Sequence, residues 1–281
     1  MSVLATLVDD PKSFLASWPE RPTVHDVDRD RLAVLFDRDA ARQVVADPAL
    51  CPIELGMVHR GAPSPLPPDA DHPTHTLVLN GLHLSWPPLR DAVRRLAAEL
   101  GHPVTANVYL TPPQSTGYGP HWDTHHVFLA QAEGAKTWRL HPPIVTDPLS
   151  RHRWTAVGFT TEQLDRVHDR AESVVLRAGQ VLFIPRGWVH FGHTTAEHSL
   201  HVTFGVQLLT RHWLLQQLLD QAVEDPAVRA ALPPDLSSYA VEDLVTRARS
   251  VLLAHLGRPD IPAAGRPVYL AQQRAVVAVG G

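Results

Sequence analysis

The stretch GPHWDTHH, residues 119–126, places three histidines and one aspartate within six consecutive positions. If this stretch forms a β-strand, alternate side chains share one face, so His121 and Asp123 project together. His190 follows much later in the chain, directly after the segment FIPRGWV. Two imidazoles and one carboxylate on one side of an ion leave its other positions open, which favours non-haem Fe(II) in oxygenases. His121, Asp123 and His190 are therefore predicted to hold a catalytic Fe(II) ion.

Two other readings of the histidines stay open at this point. The chain holds 18 His among 281 residues, so a His-x-Asp pair is also what a polar strand would show. A separate zinc site would need four ligands, usually including cysteine. His125 has the strand parity of His121 and is expected to face the pocket, whereas His126 is expected to be packed or solvated. The segment HFGHTTAEHSLH contains no cysteine and supplies the candidates for such a zinc site: His190, His193, His198 and His201.

The composition limits the classes of protein. Hydrophobic residues make up 44% and charged residues 19% of the chain, as in globular proteins. The net charge of −4 and the lack of a basic stripe argue against a nucleic-acid partner. Cys51 is the single cysteine, so no internal disulfide forms and a cytoplasmic location is expected. The start MSVLATLVDDPKSF does not read as a signal peptide, and no apolar run reaches the roughly 18 to 20 residues of a membrane span.

Elements of different type follow one another along the chain. The proline-rich residues 61–75 are predicted to be a loop, and WPPLRDAVRRLAAELG a helix with Leu89, Val93, Leu96 and Leu100 on one stripe and Gly101 at its end. From about residue 103, short strands separated by Gly and Pro turns predict a sandwich or barrel: VTANVYL, GPHWDTHHVFLAQ, KTWRL, SVVLRAG, QVLFIP and HSLHVTFGV. After about residue 208 the pattern turns helical. The expected fold is mainly β with flanking helices, in two domains, 1–208 and 209–281.

Two long segments resemble one enzyme family. GPHWDTHHVFLAQAEGAKTWRL and AGQVLFIPRGWVHFGHTTAEHSLHVTFGV are similar to the JmjC-type, cupin-fold 2-oxoglutarate oxygenases, and most to the ribosomal oxygenase subgroup. TLVLNGLHLSWPPL and FLASWPERP are similar to that subgroup's N-terminal segments, so the resemblance runs from about residue 10 to residue 208. It implies a double-stranded β-helix, a jelly roll. It also implies an Fe(II)- and 2-oxoglutarate-dependent hydroxylase of a peptide or protein side chain, with succinate and CO2 as co-products.

The same resemblance assigns residues to the co-substrate. Lys136 follows His121 at the spacing where the family keeps a basic residue for the distal carboxylate of 2-oxoglutarate. A lysine suits that role because it offers a point charge and up to three donors. Lys12 is the only other lysine in the sequence, so Lys136 is less expected to be an ordinary surface lysine. Four further residues are implied to line or approach the co-substrate pocket: Asn107, Tyr109, His201 and Thr203.

The C-terminal part bears on partners. Larger members of the subgroup continue with a helical dimerisation region and a winged helix, and the stretch after position 208 has room only for the first. A homodimer through these helices is expected, with Trp213, Leu214, Gln217 and Leu218 near one face, although the helices could instead pack on their own barrel. The substrate stays open between a ribosomal protein, a peptide natural product and a free amino acid or other small molecule. A metal-binding cupin that takes no 2-oxoglutarate, or that is not an enzyme, is the remaining alternative.

Overall fold

The computed structural model describes residues 2–50 and 54–258. They form two compact units, residues 2–208 and residues 209–258. Cys51 and the last part of the predicted helical region, residues 259–281, lie outside the described residues. The first unit contains these strands: β1 (Thr23–Asp26), β2 (Glu54–His59), β3 (Ala62–Ser64), β4 (Thr76–Asn80), β5 (Val104–Thr111), β6 (His126–His141), β7 (Glu172–Arg177), β8 (Gln180–Ile184), β9 (Val189–His193) and β10 (Ser199–Val206).

Helices precede, interrupt and follow these strands. They are α1 (Pro11–Ala16), α2 (Arg29–Ala33), α3 (Arg38–Ala46), α4 (Pro87–Leu100), α5 (Trp154–Val157), α6 (Thr161–Arg170), α7 (Arg211–Ala222), α8 (Pro226–Arg229) and α9 (Val241–Leu256). Short 3-10 turns occur at Leu4–Thr6, Pro48–Leu50, Leu82–Leu84, Ser150–His152 and Leu236–Ser238. The predicted class, mainly β with flanking helices, is confirmed.

The long strand β6 belongs to two sheets. Its first half pairs antiparallel with β8 and β10 in a sheet of order β1-β8-β6-β10-β5-β4-β2-β3. Its second half pairs antiparallel with β7 and β9. Gly134 lies between the halves with a φ of +64°, where the chain leaves one sheet for the other. The prediction of two separate strands, one ending at FLAQ and one at KTWRL, was therefore wrong, because the glycine bends a strand that continues.

Side chains along each strand of the larger sheet point alternately to its two faces. On β10, Val202 and Phe204 are fully buried on the outer face, in one apolar cluster with residues of α1 to α4. His201 and Thr203, the intervening residues, point to the inner face and line a cavity there. The period of two that sheets impose on side chains explains this division. The outer face is covered by helices, and the inner face is left for the site.

Helix α4 is the main cover of the outer face. Leu89, Val93 and Leu96 are buried on one stripe, as the sequence predicted, and Leu100 is half-buried. Burial of each such side chain contributes about 1.5 to 3 kcal/mol. Gly101 ends the helix with a φ of +68°, a left-handed conformation that glycine adopts without steric cost.

The two sheets enclose a second apolar cluster. Val127 and Leu129 from the first half of β6 pack with Trp138 and Leu140 from its second half, together with apolar residues of β7 and β8. A sheet that closes on itself in this way is a double-stranded β-helix, the jelly roll that was predicted. Three members of this cluster, Val127, Leu129 and Trp138, also line the cavity on the inner face.

The second unit consists of α7, α8 and α9. Thr210 caps α7 by accepting a hydrogen bond from the Trp213 N–H. Inside the unit, Asp225 accepts a hydrogen bond from the buried His255 ring at 3.2 Å. Across residues 2–50 and 54–258, no helix combines the length and the apolar character needed to cross a membrane.

Candidate metal and anion site

The predicted metal ligands come together in the cavity on the inner face. His121, Asp123 and His190 each offer one ligand atom, and these atoms all lie within 4.8 Å of one another. His190 is on β9, a strand that the sequence analysis did not predict. His121 precedes β6 and pairs with His190 through an isolated bridge, in which the His190 N–H donates to the His121 carbonyl at 2.8 Å. The backbone thus places both histidines before any ion binds.

The pairing of His121 with Asp123 was predicted from a continuous strand, and that premise was wrong. β6 begins at His126, so residues 119–125 are not a continuous strand. The Gly187 N–H donates to the Asp123 carbonyl at 2.8 Å, which attaches this segment to the turn before β9. One isolated bridge at His121 and one backbone hydrogen bond at Asp123 hold this segment in place of a strand ladder.

Both imidazoles are oriented by backbone carbonyls. Nδ1 of His121 lies 2.8 Å from the Gly119 carbonyl, and Nδ1 of His190 lies 3.0 Å from the Trp188 carbonyl. A carbonyl only accepts, so each ring donates Nδ1–H and keeps a lone pair on Nε2. Nε2 of His190 lies 3.5 Å from the Asp123 carboxylate. Burial lowers the pKa of His190 to about 4, which keeps this imidazole neutral and able to ligate.

The donor set fits a divalent transition metal with open positions. Two neutral imidazole nitrogens and one carboxylate oxygen form a face of three ligands, the arrangement that non-haem Fe(II) takes in oxygenases. Within the described ranges, no other group of three or more His, Cys, Asp and Glu residues has metal-binding geometry. The alternative zinc site among the downstream histidines is therefore not formed in this part of the chain.

Lys136 is the second chemical feature of the cavity. Its side chain is 2% exposed, and its ammonium donates to Thr111 Oγ1 at 3.1 Å. The nitrogen also lies 5.0 Å from the centroid of the Trp138 ring. No carboxylate pairs with it among the residues that the structure describes. Burial lowers the pKa of Lys136 to about 7, because a charge without an anionic partner is poorly solvated there.

Two glycines leave room around this lysine. A Cβ on Gly117 would lie 3.2 Å from Lys136 Nζ, and a Cβ on Gly192 would lie 3.0 Å from its Cε. Both glycines line the same cavity as the metal ligands. A small anion could therefore reach the ammonium from the metal side of the cavity.

Four other residues were expected to line or approach the co-substrate pocket, and three of them line the cavity. Tyr109, His201 and Thr203 line the cavity, and the rings of Tyr109 and His201 stack with centroids 5.0 Å apart. Nδ1 of His201 and Oγ1 of Thr203 are buried without a hydrogen-bond partner. Burial, and then the charge of Lys136, hold the pKa of His201 well below its usual value. Asn107 is outside the cavity lining, and its Oδ1 accepts a hydrogen bond from the Gly81 N–H at 2.8 Å.

Three other histidines near the motif lie outside the cavity lining. His126 is buried, with its ring centroid 4.7 Å from that of Trp18, so it is packed as expected. His125 was expected to face the pocket, but it is not part of the cavity lining, and its Nδ1 lies 3.3 Å from the His126 carbonyl oxygen. His198 pairs with Glu133 at 3.1 Å.

Several cavity residues were missed in the sequence. Trp138 has the strand parity of Lys136, so the period of two could have found it. Gly117 and Tyr118 precede the metal motif in STGYGP, where a glycine pair indicates a turn but not a pocket. Gly192 lies on β9, the strand that was not predicted.

Comparison with protein families agrees with this geometry. Residues 87–214 match the family model described as JmjC domain. The matched residues include His121, Asp123 and His190 and most strands of the jelly roll, so this part of the chain is similar to a JmjC domain. The resemblance inferred from the sequence motifs is confirmed.

The relatives include ribosomal oxygenases. The chain is 31% identical to ribosomal oxygenase 2 of Bos taurus over 210 residues, which are 66% of this chain and 44% of the relative. It is 47% identical over 106 residues to the bifunctional lysine-specific demethylase and histidyl-hydroxylase NO66 of Drosophila yakuba, covering 37% of this chain and 15% of the relative. The chain thus spans less than half the length of these two relatives.

Solved structures of E. coli YcfD have the same fold. One matches with a TM-score of 0.60 and 17% identity, over 90% of this chain and 69% of YcfD. Another, described as a ribosomal oxygenase in complex with cobalt and 2-oxoglutarate, matches with a TM-score of 0.56 and 17% identity over 92% of this chain and 69% of that chain. At such identity the likeness shows the fold.

Proposed function

We propose that this protein is an Fe(II)- and 2-oxoglutarate-dependent oxygenase that hydroxylates a side chain of a peptide or protein. The observation that carries the proposal is the buried ammonium of Lys136, which shares one cavity with the His121, Asp123 and His190 triad. A cupin that only binds a metal has no need of an unpaired cation at that place. The relatives named as oxygenases and hydroxylases support the same chemistry.

The charge of Lys136 argues for a dicarboxylate co-substrate. An isolated ammonium in a buried site costs several kcal/mol, and an anion that accepts its hydrogen bonds offsets that cost. 2-Oxoglutarate carries a carboxylate at the far end from the 2-oxo acid group that chelates a metal. The partnerless Nδ1 of His201 and Oγ1 of Thr203 supply further polar contacts on the inner face of β10.

Each residue of the chain then has a defined task. His121, Asp123 and His190 would hold Fe(II) through Nε2 and carboxylate atoms, with the Gly119 and Trp188 carbonyls fixing the two rings. Lys136 would bind the distal carboxylate, while Trp138 and Leu129 exclude water around it. When bound, Fe(II) and 2-oxoglutarate would supply the oxidising chemistry, in which O2 inserts one oxygen atom into a substrate C–H bond and succinate and CO2 are released.

The substrate is proposed to be a polypeptide, and a ribosomal protein is the first to test, because curated relatives are named ribosomal oxygenases. A net charge of −4 supports a polypeptide rather than a nucleic-acid partner. A single cysteine supports a cytoplasmic location.

A homodimer through the C-terminal helices is also proposed. Leu215 and Leu219 are four residues apart on α7 and are exposed, and Val241 and Val245 form a second exposed pair on α9. Apolar stripes of this kind are typical of helix faces that pack against a partner. Sedimentation equilibrium should give twice the chain mass, and the double variant Leu215→Glu, Leu219→Glu should give the single mass. A single mass for the unaltered protein would contradict the dimer.

The oxygenase is tested by anaerobic titration of metal-free protein with Fe(II) and then with 2-oxoglutarate. The visible charge-transfer band of the iron chelate should appear for the unaltered protein and be absent for His121→Ala. Lys136→Ala should need at least about tenfold more co-substrate, since a charge-assisted hydrogen bond is lost. Circular dichroism of both variants checks that the fold is retained.

Consumption of 2-oxoglutarate gives the second readout. Succinate release should need O2 and Fe(II), and it should increase when a substrate polypeptide is added. If metal binds but no chelate band forms at any concentration of 2-oxoglutarate, the protein is a cupin of another kind. A His121→Ala protein that still couples 2-oxoglutarate consumption to product would equally contradict the assignment.

A further inference from the structure

The turn between β2 and β3 has an unexpected residue in a left-handed conformation. His59 pairs with Ala62, so Arg60 and Gly61 form a two-residue hairpin loop. Their φ angles are +49° and +87°, both in the left-handed region that a type I′ turn requires. Asparagine, aspartate or glycine ordinarily occupies the first of these positions, because a longer side chain is disfavoured there.

The turn itself does not need an arginine. Gly61 pairs with Tyr118 through a parallel bridge, and the Gly119 N–H donates to the Gly61 carbonyl at 3.0 Å. These contacts use backbone atoms alone, and they fix the turn against the segment that leads to His121. Strained backbone at a residue whose side chain does not support the fold suggests a functional use of that side chain.

The side chain of Arg60 lies at a cavity beside the metal site. The cavity has a volume of about 340 Å³ and is lined by Arg60, Tyr118, Phe191, Gly192 and His193, among others. Tyr118 and Gly192 also line the cavity that holds the metal ligands and Lys136, so the two spaces are neighbours. None of the lining residues is acidic.

Arg60 supplies the charged group at this cavity, its guanidinium. It is exposed, and within residues 2–50 and 54–258 no carboxylate forms an ion pair with its guanidinium. Glu54, on the same hairpin, accepts a hydrogen bond from Asn80 at 3.0 Å. The guanidinium group is planar and permanently charged, and at the edge of a largely apolar cavity it is suited to bind a carboxylate.

We propose that this cavity binds the polypeptide substrate and that Arg60 recognises an acidic side chain flanking the residue to be oxidised. The inference rests on the proposed function, since the neighbouring metal site is what makes the cavity a substrate site. Phe191 and Tyr118 provide apolar walls for the peptide, and Arg60 provides the charge that selects it.

Two matched pools of short fluorescein-labelled peptides test the proposal. Both have the same random residues without Asp or Glu, and one has Glu, the other Gln, fixed on each side of the central residue. Binding is measured by fluorescence anisotropy on the full chain with Mn(II) and 2-oxoglutarate, without O2. The Glu pool should bind about tenfold more tightly than the Gln pool, the effect of one charge-assisted hydrogen bond.

Three variants locate the preference. Arg60→Asn should remove it and leave the thermal midpoint equal or higher, because asparagine tolerates the left-handed turn. Arg60→Lys should keep part of the preference, since it keeps the charge. Arg29→Asn removes an exposed arginine that does not line the cavity, and it should bind both pools as the unaltered protein does.

Four results would overturn the proposal. They are equal binding of the two pools, binding of neither pool, a preference that survives Arg60→Asn, and a preference lost together with a lowered thermal midpoint. The iron-chelate band separates this inference from the proposed function. Protein that forms the band without a Glu preference contradicts only the role of Arg60, whereas protein that forms no band contradicts the oxygenase itself.

Discussion

The ammonium nitrogen of Lys136 lies 3.1 Å from the hydroxyl oxygen of Thr111, and that neutral hydroxyl is its one hydrogen-bond acceptor among the described residues. The Thr76 hydroxyl oxygen lies 3.2 Å from the same atom and 2.9 Å from the Thr116 carbonyl oxygen. A neutral oxygen compensates a buried charge only in part. The free protein therefore carries an electrostatic penalty at this point, and a bound dicarboxylate would relieve it.

Lys136→Met is expected to stabilise the ligand-free protein while it abolishes tight binding of 2-oxoglutarate. Methionine fills similar space without a charge, and replacing buried charges by apolar groups stabilises proteins by about 1 to 4 kcal/mol. Urea unfolding at pH 7 measures the free energy, and the chelate titration measures affinity. Lys12→Met, at the other and exposed lysine, should change neither quantity. A destabilised Lys136→Met protein with normal affinity would show that the lysine is structural.

The affinity for 2-oxoglutarate should fall as the pH rises above 7. Burial lowers the pKa of Lys136 to about 7 in the free protein, and the dianion binds the protonated form. Above that pH each unit should weaken binding about tenfold, as measured by chelate titration between pH 7 and pH 9.

The stability of the ligand-free protein should change in the opposite direction. Between pH 7 and about pH 10 the unfolded chain holds the lysine proton more tightly than the folded chain, so the free energy of unfolding rises with pH. Lys136→Met should lack this rise. An affinity that is constant from pH 7 to pH 9 would show that the ammonium does not titrate in this range.

Gly117→Ala is expected to raise the KM for 2-oxoglutarate about tenfold with little effect on stability. The added methyl group would lie 3.2 Å from Lys136 Nζ, where the carboxylate of the co-substrate would bind. Metal affinity should be unchanged, because none of the three ligands moves. Gly56→Ala is the control, since a Cβ there meets nothing within 4 Å. Steady-state succinate assays measure the KM for 2-oxoglutarate, and Fe(II) titrations measure the metal affinity. A weakened metal affinity would contradict the prediction.

Gly134→Ala is expected to lower the free energy of unfolding by about 3 kcal/mol or more, or to prevent folding. Gly134 has a φ of +64°, and a Cβ on it would overlap the His198 carbonyl oxygen. Urea unfolding, or the soluble yield where no folded protein forms, should be compared with Gly56→Ala. Equal stability of the two variants would mean that the bend of β6 does not need glycine.

Local periodicity explains how much of this structure could be read from the sequence. The family resemblance assigned Tyr109, His201 and Thr203 to the pocket, and all three line the cavity. The period of two gives His201 and Thr203 a common face, because strand geometry acts on neighbours alone. The period of 3.6 found α4 and its glycine end for the same reason. These elements need no knowledge of distant parts of the chain.

The features that the sequence analysis missed depend on contacts between residues that are far apart in the sequence. β9 contains VHFGH, a segment with little strand character, and it forms because β6 offers it hydrogen bonds. The resemblance assigned Asn107 to the pocket, yet its side chain accepts a hydrogen bond from the Gly81 backbone in another connection. The role inferred for Arg60 depends on a turn that bridges to Tyr118, which lies far along the chain beyond β4, α4 and β5. The spacing of residues along the chain does not reveal such long-range contacts.

The backbone bridge between His121 and His190 joins two metal ligands that lie far apart in the sequence. The bridge and the strands around it hold the metal ligands in register. The connection between β6 and β7, residues 142–171, contributes no metal ligand and no residue of the Lys136 cavity. The same connection nevertheless supports the ligands from behind, since the His152 carbonyl accepts a hydrogen bond from Trp122 Nε1 at 2.9 Å and the Trp154 ring lies 6.1 Å from the His121 ring. A substitution in this loop would therefore act on the metal site without removing any of its ligands.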